Sequence, residues 1–487
     1  RGDNVDITSL KAWEMKEKLL NKEISSKDIV EAHIKRIEEI EPNINAFITL
    51  NKEEALKAAD AVDKKLRNNE NVGVLAGVPI GIKDNIVTKG MRTTCASKML
   101  ENFIPPYDAT VIEKIKKSDG IIIGKTNMDE FAMGGSTETS YFGTTKNPVD
   151  PSRVPGGSSG GSAAAVCSNE VPLALGTDTG GSVRQPASYC GVVGLKPTYG
   201  MISRYGVVSM ANTLDQVGVF GRDVKDAVLM LNAIAGHDRR DSTSSRRSNS
   251  GVFIGDDDNE SINLLEGLKV ALPKEYAEMG VSNKKIQVLF DEAVKVFERQ
   301  GAKIDFVSIP HLKYALETYY IIMTSEVSSN LARFDGIRYG HRAEDYKTLD
   351  ELYTNSRTEG FGEEVKRRIM IGTYSLSAGY AEEHYKKALK VRTLIKQDYD
   401  NAFIDHDIIL SLTSTMLPFE FNSIINDPVE MYKSDLYTVP INIAGLCSMS
   451  IPMGKVDGLP VGLQITGDRF MEKNIIKAAL GYERAVL

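Results

Sequence analysis

The sequence predicts an α/β fold, a β-sheet covered by helices. From about residue 74 onward, short β-branched runs alternate with helical stretches, the pattern of strands packed between helices. The chain has 487 residues, 42% of them hydrophobic and 26% charged, enough to bury a large core without disulfides or structural metals. No internal repeat divides it. At about 150 residues per domain the length allows three domains, or one large α/β unit.

The elements follow in order. Residues 1–70 read as helical: Ser26 caps a helix whose apolar face carries Ile29, Val30, Ile34, Ile37 and Ile40, with Pro42 following it. Residues 74–235 hold the short β-branched runs Val78–Ile80, Ile121–Ile123 and Val192–Val193, the strand-sized apolar stretch Val171–Leu175, and the helical stretch Thr110–Lys117. Residues 237–262 are Ser-rich and charged with little apolar content, a surface excursion or flexible linker. Residues 263–487 return to amphipathic helices, as over Glu363–Asp398, and to strand-like segments at Ile408–Ser411 and Val461–Ile465.

Composition excludes several classes. With 59 basic and 66 acidic residues the net charge is -7, which argues against a dedicated nucleic-acid binder. Cys95, Cys167, Cys190 and Cys447 show neither CxxC nor zinc spacing, and four thiols in a reducing cytosol is the plain expectation. No segment reaches the roughly 18–20 apolar residues of a membrane span, so a cytoplasmic protein is expected. The chain opens at Arg1 without Met and stops at Leu487, so trimmed ends are expected.

Several motif matches fail. Asp256–Glu260 resembles a calcium loop, but Ser261 stands where Gly is needed and the terminal Glu is out of register. Gly156–Gly161 lacks GK[ST], and no strand is followed by GxGxxG, which removes both nucleotide fingerprints. Gly156–Gly160 satisfies G-x-S-x-G, yet the preceding residues 147–155 carry three prolines and cannot form the central strand a nucleophile elbow needs. Histidine is scarce, with six residues, so a His-based triad has little to draw on.

Chemistry concentrates elsewhere. All seven residues from Gly156 to Ser162 are Gly or Ser, and Gly180-Gly181-Ser182 follows some twenty residues on. A pair of flexible turns is the plain alternative. A third element, Gly77–Asn85, sets Lys83 directly after an apolar run that would draw its side chain inward. Burial disfavours the ammonium, and a neutral lysine can replace histidine as base for a serine nucleophile. Glycines before a serine let backbone N–H groups converge on one point, as an oxyanion hole requires.

These segments, GGSSGGSAAAV and LGTDTGGSVRQPASYCGVVGLKPTYG, resemble the signature of the amidase signature family of serine amidohydrolases. GVPIGIKDN, GKTNMDEFAMGGSTE, SNLARFDGIRYG, EGFGEEVKRRIMIGTYSLSAGY and PVGLQITG extend the likeness over nearly the whole chain, and are similar to the branch serving tRNA-dependent amidotransferases. The resemblance implies one amidase signature fold over 1–487, an α/β fold with a large mixed central β-sheet covered by helices on both faces. It implies a Ser-cisSer-Lys triad: Ser182 as nucleophile, Ser158 as the bridging serine on a cis peptide after Gly157, Lys83 as base. Thr179, Gly180 and Gly181 would supply the oxyanion hole. For free glutamine as substrate, Arg368 would bind the carboxylate and Asp435 the amine, with Tyr319 lining the pocket; Arg367 is the neighbour most easily mistaken for Arg368.

The resemblance further implies a heterotrimer with amidotransferase subunits B and C. No metal or cofactor is expected in this chain; ATP and Mg would be used by the partner, which would also hold most of Glu-tRNA(Gln). Two segments depart from the family pattern, Ile409–Met416 and Gly135–Glu138, both near the substrate end. A free-standing amidase acting on acyl, aryl or peptide amides is the alternative, and a catalytically silent scaffold protein is a third reading.

Overall fold

The computed structural model describes residues 6–247, 263–281, 283–423 and 428–486. Eleven strands form one sheet: β1 Phe47–Leu50, β2 Pro79–Lys83, β3 Ile121–Thr126, β4 Leu173–Asp178, β5 Val193–Lys196, β6 Gln216–Gly221, β7 Lys269–Pro273, β8 Lys303–Val307, β9 Ile408–Leu412, β10 Cys447–Val456 and β11 Leu459–Gly467. Their spatial order is β1-β3-β2-β4-β6-β5-β10-β11-β9-β7-β8. The sheet is mixed. Strands β3, β2 and β4 run parallel, as do β9, β7 and β8, while the pairings between these groups are antiparallel.

Both faces are covered. Successive residues of a strand point to opposite sides, and here they enter different cores. Ile122, Leu173, Leu175 and Val219 pack in one cluster with Val111, Ile115 and Leu231. Ile121, Ile123, Ala174 and Phe220 pack in another with Val30, Ile37, Ala59 and Ala163–Ala165. The sequence pattern on these strands is a near-continuous apolar run, as expected for strands buried on both sides.

The first 70 residues are not wholly helical. Between the helices Ser26–Ile44 and Lys52–Arg67 lies β1, four residues added antiparallel to β3 at the sheet edge. The cap of the first of these helices is Ser25, not Ser26: Ser25 is extended, its hydroxyl accepts the Asp28 N–H at 3.0 Å, and Asp28 reciprocates at the Ser25 N–H at 2.9 Å. Ser26 is already helical, and its N–H donates to Asp63 Oδ1 at 2.7 Å. Pro42 lies inside the last turn rather than after it, where the missing N–H forfeits one bond before the helix ends at Asn45. The stretch over 363–398 splits into helices Glu363–Leu376 and Lys387–Ala402.

Of the polar stretch 237–262, residues 248–262 lie outside the described residues. The part before them is fastened down. Asp238 accepts the hydroxyls of Thr110 and Ser203, and Arg240 pairs with Glu113 at 2.6 Å while stacking over Tyr205 at 4.4 Å. The calcium-like run Asp256–Glu260 also falls outside the described residues.

Candidate active site

Strands β2 and β4 lie side by side and parallel, with Ile80, Gly81 and Ile82 opposite Leu173, Ala174 and Leu175. Their carboxyl ends are therefore neighbours, and these ends carry Lys83 and Asp178. Such ends are where α/β sheets place their ligand sites. Lys83 is fully buried. Its Nζ donates to Ser158 Oγ at 2.8 Å, to Ser159 Oγ at 2.7 Å and to Thr177 O at 3.3 Å. Burial pushes its pKa from the ordinary 10.5 down to about 7, against the pull of Asp129, Asp178 and Asp215. A lysine held there exchanges its proton near neutrality.

The first glycine cluster delivers the two serines. Ser158 follows a cis peptide bond after Gly157. Ser159 precedes the helix Gly160–Cys167, whose alanines pack under the sheet. Ser158 and Ser159 have no exposed surface, whereas Ser182 is half-buried. The two clusters are joined directly: the Ser159 N–H donates to Ser182 O at 3.2 Å. Of the departing segments, Gly135–Glu138 packs beneath this cluster, Thr137 Oγ1 donating to Gly156 O at 2.8 Å and Gln185 Nε2 to Gly135 O at 3.0 Å.

The turn Thr179–Ser182 is shaped by groups that sequence reading missed. Asp178 accepts the N–H of Gly181 at 2.9 Å and of Val183 at 3.2 Å, and pairs with Arg184 at 3.0 Å, both side chains fully buried. Burial alone would raise the Asp178 pKa; Arg184, Lys196 and Asn442 hold it well below the usual carboxylate range. Arg184 also reaches Thr438 O at 3.1 Å and Gln464 Oε1 at 2.8 Å, fixing the turn to β11 and the helix Val439–Ala444. The Gly181 amide, one of the three named for an oxyanion, is committed to Asp178. The Thr179 hydroxyl donates to Asp215 Oδ1 at 2.8 Å.

Both glycines are sterically required. A Cβ on Gly180 would lie 2.6 Å from the Tyr319 ring and hydroxyl. Gly181 has φ of +133°, and a Cβ there would lie 2.3 Å from Thr438 Oγ1. Thr438 Oγ1 in turn donates to Gly180 O at 2.7 Å. Tyr319 thus closes over the turn from the helix Ala315–Asn330.

The other predicted residues gather on that side. Arg368, on the helix Glu363–Leu376, is 3% exposed, while Arg367 beside it faces solvent. Arg368 Nε donates to Glu364 Oε1 at 2.8 Å, and its guanidinium lies 5.6 Å from the Tyr320 ring centroid and 5.7 Å from that of Tyr432. Burial works against its charge, but Glu364 and the tyrosines more than offset this and raise its pKa. Asp435 accepts the Tyr320 hydroxyl at 3.1 Å. Burial pushes the Asp435 pKa up to about 7, with Tyr320 and Arg368 opposing. Tyr319 packs edge-on against Tyr320 at 5.0 Å, linking this charged end to the glycine turn. Tyr320, Glu364 and Tyr432 were not foreseen; each reads in sequence as an ordinary helix residue, and only the neighbouring Tyr319 gave a signal.

Among the described residues no cluster of three or more His, Cys, Asp or Glu is arranged to hold a metal ion, and no helix is long and apolar enough to cross a membrane. The four cysteines are free thiols, three of them buried and Cys167 half-buried.

The family model described as Amidase matches residues 28–476. The A subunit of glutamyl-tRNA(Gln) amidotransferase from Caldanaerobacter subterraneus subsp. tengcongensis is 52% identical over 483 residues, covering 99% of this chain and 97% of that one. Its namesake from Clostridium botulinum (strain Alaska E43 / Type E3) is 52% identical over 481 residues, covering 99% and 98%. Among solved structures, the glutamyl-tRNA(Gln) amidotransferase A subunit from Thermotoga maritima superposes with a TM-score of 0.81 at 41% identity, covering 99% of this chain and 96% of that one. A bacterial aryl acylamidase of the amidase signature family gives 0.83 at 27% identity, covering 98% and 96%. With the signature segments in place and the family model spanning nearly its whole length, the chain belongs to the amidase signature family.

Proposed function

We propose that this chain is the glutamine-hydrolysing subunit of a tRNA-dependent amidotransferase. The observation that carries the chemistry is the fully buried Lys83, its Nζ 2.8 Å from Ser158 Oγ, beside the turn that presents Ser182. The neutral Lys83 amine takes the Ser158 proton as Ser158 takes that of Ser182, and Ser182 Oγ attacks the side-chain amide carbon of glutamine. The amides of Thr179 and Gly180 receive the oxyanion; such donors are typically worth about 3–4 kcal/mol each. The relay then returns the proton to the departing nitrogen and ammonia leaves. Water cleaves the resulting ester by the same route, releasing glutamate and restoring Ser182.

The charged end of the pocket suits a free amino acid, with Arg368 facing the carboxylate and Asp435 the ammonium. The name carried by the relatives supports the larger role, in which ammonia passes to a partner that amidates activated Glu-tRNA(Gln). On this reading subunits B and C complete a heterotrimer, and ATP and Mg are used by the partner. The net charge of -7 fits a chain that leaves most tRNA contact to others.

Ser182→Ala tests the division of labour. In the assembled complex it abolishes glutamine-dependent amidation and leaves ammonia-dependent amidation intact. Loss of both together would contradict the proposal, and turnover of simple amides but not glutamine would favour a free-standing amidase.

A further inference from the structure

Resting on the reading above, we infer that Tyr320 is a positioning residue that holds Asp435 and Arg368 apart, as separate receptors for the ammonium and the carboxylate of a free α-amino acid. Opposite charges brought together in a water-poor pocket attract strongly. Left alone, an arginine and an aspartate there would neutralise one another and present nothing to a zwitterion. In this structure they do not pair: the carboxylate partner of Arg368 is Glu364.

Tyr320 touches both groups. Its ring stands 5.6 Å from the Arg368 guanidinium carbon, and its hydroxyl donates to Asp435 Oδ2 at 3.1 Å. The ring is itself fixed, stacked on Tyr432 at 4.0 Å between centroids with a 30° tilt. Tyr432 shares its anchor with Arg368, since its hydroxyl donates to the same Glu364 Oε1 at 3.2 Å. Arg368 is therefore drawn toward Glu364 and Asp435 toward the Tyr320 hydroxyl, with the aromatic pair beside the guanidinium. Tyr320 is half-buried, whereas Glu364, which anchors both Arg368 and Tyr432, is 8% exposed. Tyr319, next in the helix, faces Gly180 instead. Consecutive residues of one helix thus address the nucleophile turn and the charged end.

The experiment uses the full chain in its assembled complex and two product-like competitors of glutamine hydrolysis. L-Glutamate carries the ammonium; glutarate lacks it. The wild type binds L-glutamate more tightly than glutarate. Tyr320→Phe keeps the ring over Arg368 and removes the hydroxyl, so it weakens L-glutamate and raises KM for L-glutamine by about tenfold, the scale of one hydrogen bond to a charged group. Glutarate inhibition and kcat move far less. Tyr320→Leu also removes the ring and weakens glutarate as well. If the wild type shows no preference for L-glutamate, the amino-acid reading of the pocket fails, whatever Tyr320 does. If it does and Tyr320→Phe leaves that preference intact, or lowers kcat and both affinities alike, the positioning role is overturned.

Discussion

On the proposed reading, Lys83 owes its chemistry to its surroundings rather than to a neighbouring base. A lysine at 10.5 would be protonated throughout the neutral range, but burial brings this one to about 7. As a general base it must be neutral, so the active fraction rises as pH climbs through that value. Asp435 at about 7 must be ionised to meet an ammonium, so its contribution rises in the same direction. The expected profile of kcat/KM for glutamine therefore climbs below about pH 7, more steeply than one group alone would give, and levels above it. Lys83→Arg keeps the charge, cannot lose its proton, and removes turnover across the whole range. Measured activity for Lys83→Arg at any pH would remove Lys83 as base. Ser158, Ser182 and Lys83 were legible as candidates because they stand in glycine-rich or strand-end settings that ordinary packing does not call for; their proposed roles came with the family resemblance. Tyr320, Glu364 and Tyr432 carry no such mark, since a tyrosine or glutamate on an amphipathic helix has many commoner uses.

At the scale of elements, the turn after β4 depends on one buried ion pair. Asp178 closes the strand, caps the Gly181 and Val183 amides, and is matched by Arg184 six residues on. Arg184→Met leaves the Asp178 charge buried without its partner, a loss of about 3–5 kcal/mol in comparable pairs. Thermal or denaturant unfolding reads this directly, and a change within about 0.5 kcal/mol, the range of ordinary surface substitutions, would contradict the role given to the pair. Asp178 lay within the signature run, but its service as a backbone cap appears only once the turn is folded. Strand β1 escaped notice for a related reason. Four residues between two strong helices give too short a period to read, and it is pairing with β3 that makes Phe47–Leu50 a strand. The cap at Ser25 shows the same limit at a finer grain: two adjacent serines both satisfy the pattern, and the reciprocal bond from Asp28 decides between them.

At the scale of the whole molecule, one sheet gathers a site from distant parts of the chain. Lys83 comes from β2, the serines from the segments flanking β4, Tyr319 and Arg368 from two helices of the later half, and Asp435 from the approach to the helix Val439–Ala444. The alternation of strand and helix made the α/β class readable, because strands buried on both faces must be apolar throughout. The strand order was not readable, since β10 and β11 insert between the two parallel groups although they come last in the chain. The whole assembly has a single chemical purpose on the proposed reading, which is to form an ester between glutamine's side-chain acyl group and Ser182. The most direct test is to mix the assembled complex with L-glutamine, quench rapidly with acid, digest, and locate the acyl group by mass spectrometry. The predicted result is a γ-glutamyl ester on the peptide containing Ser182, lost in Ser182→Ala; an ester on Ser158 or Ser159, or steady ammonia release from Ser182→Ala, would contradict it.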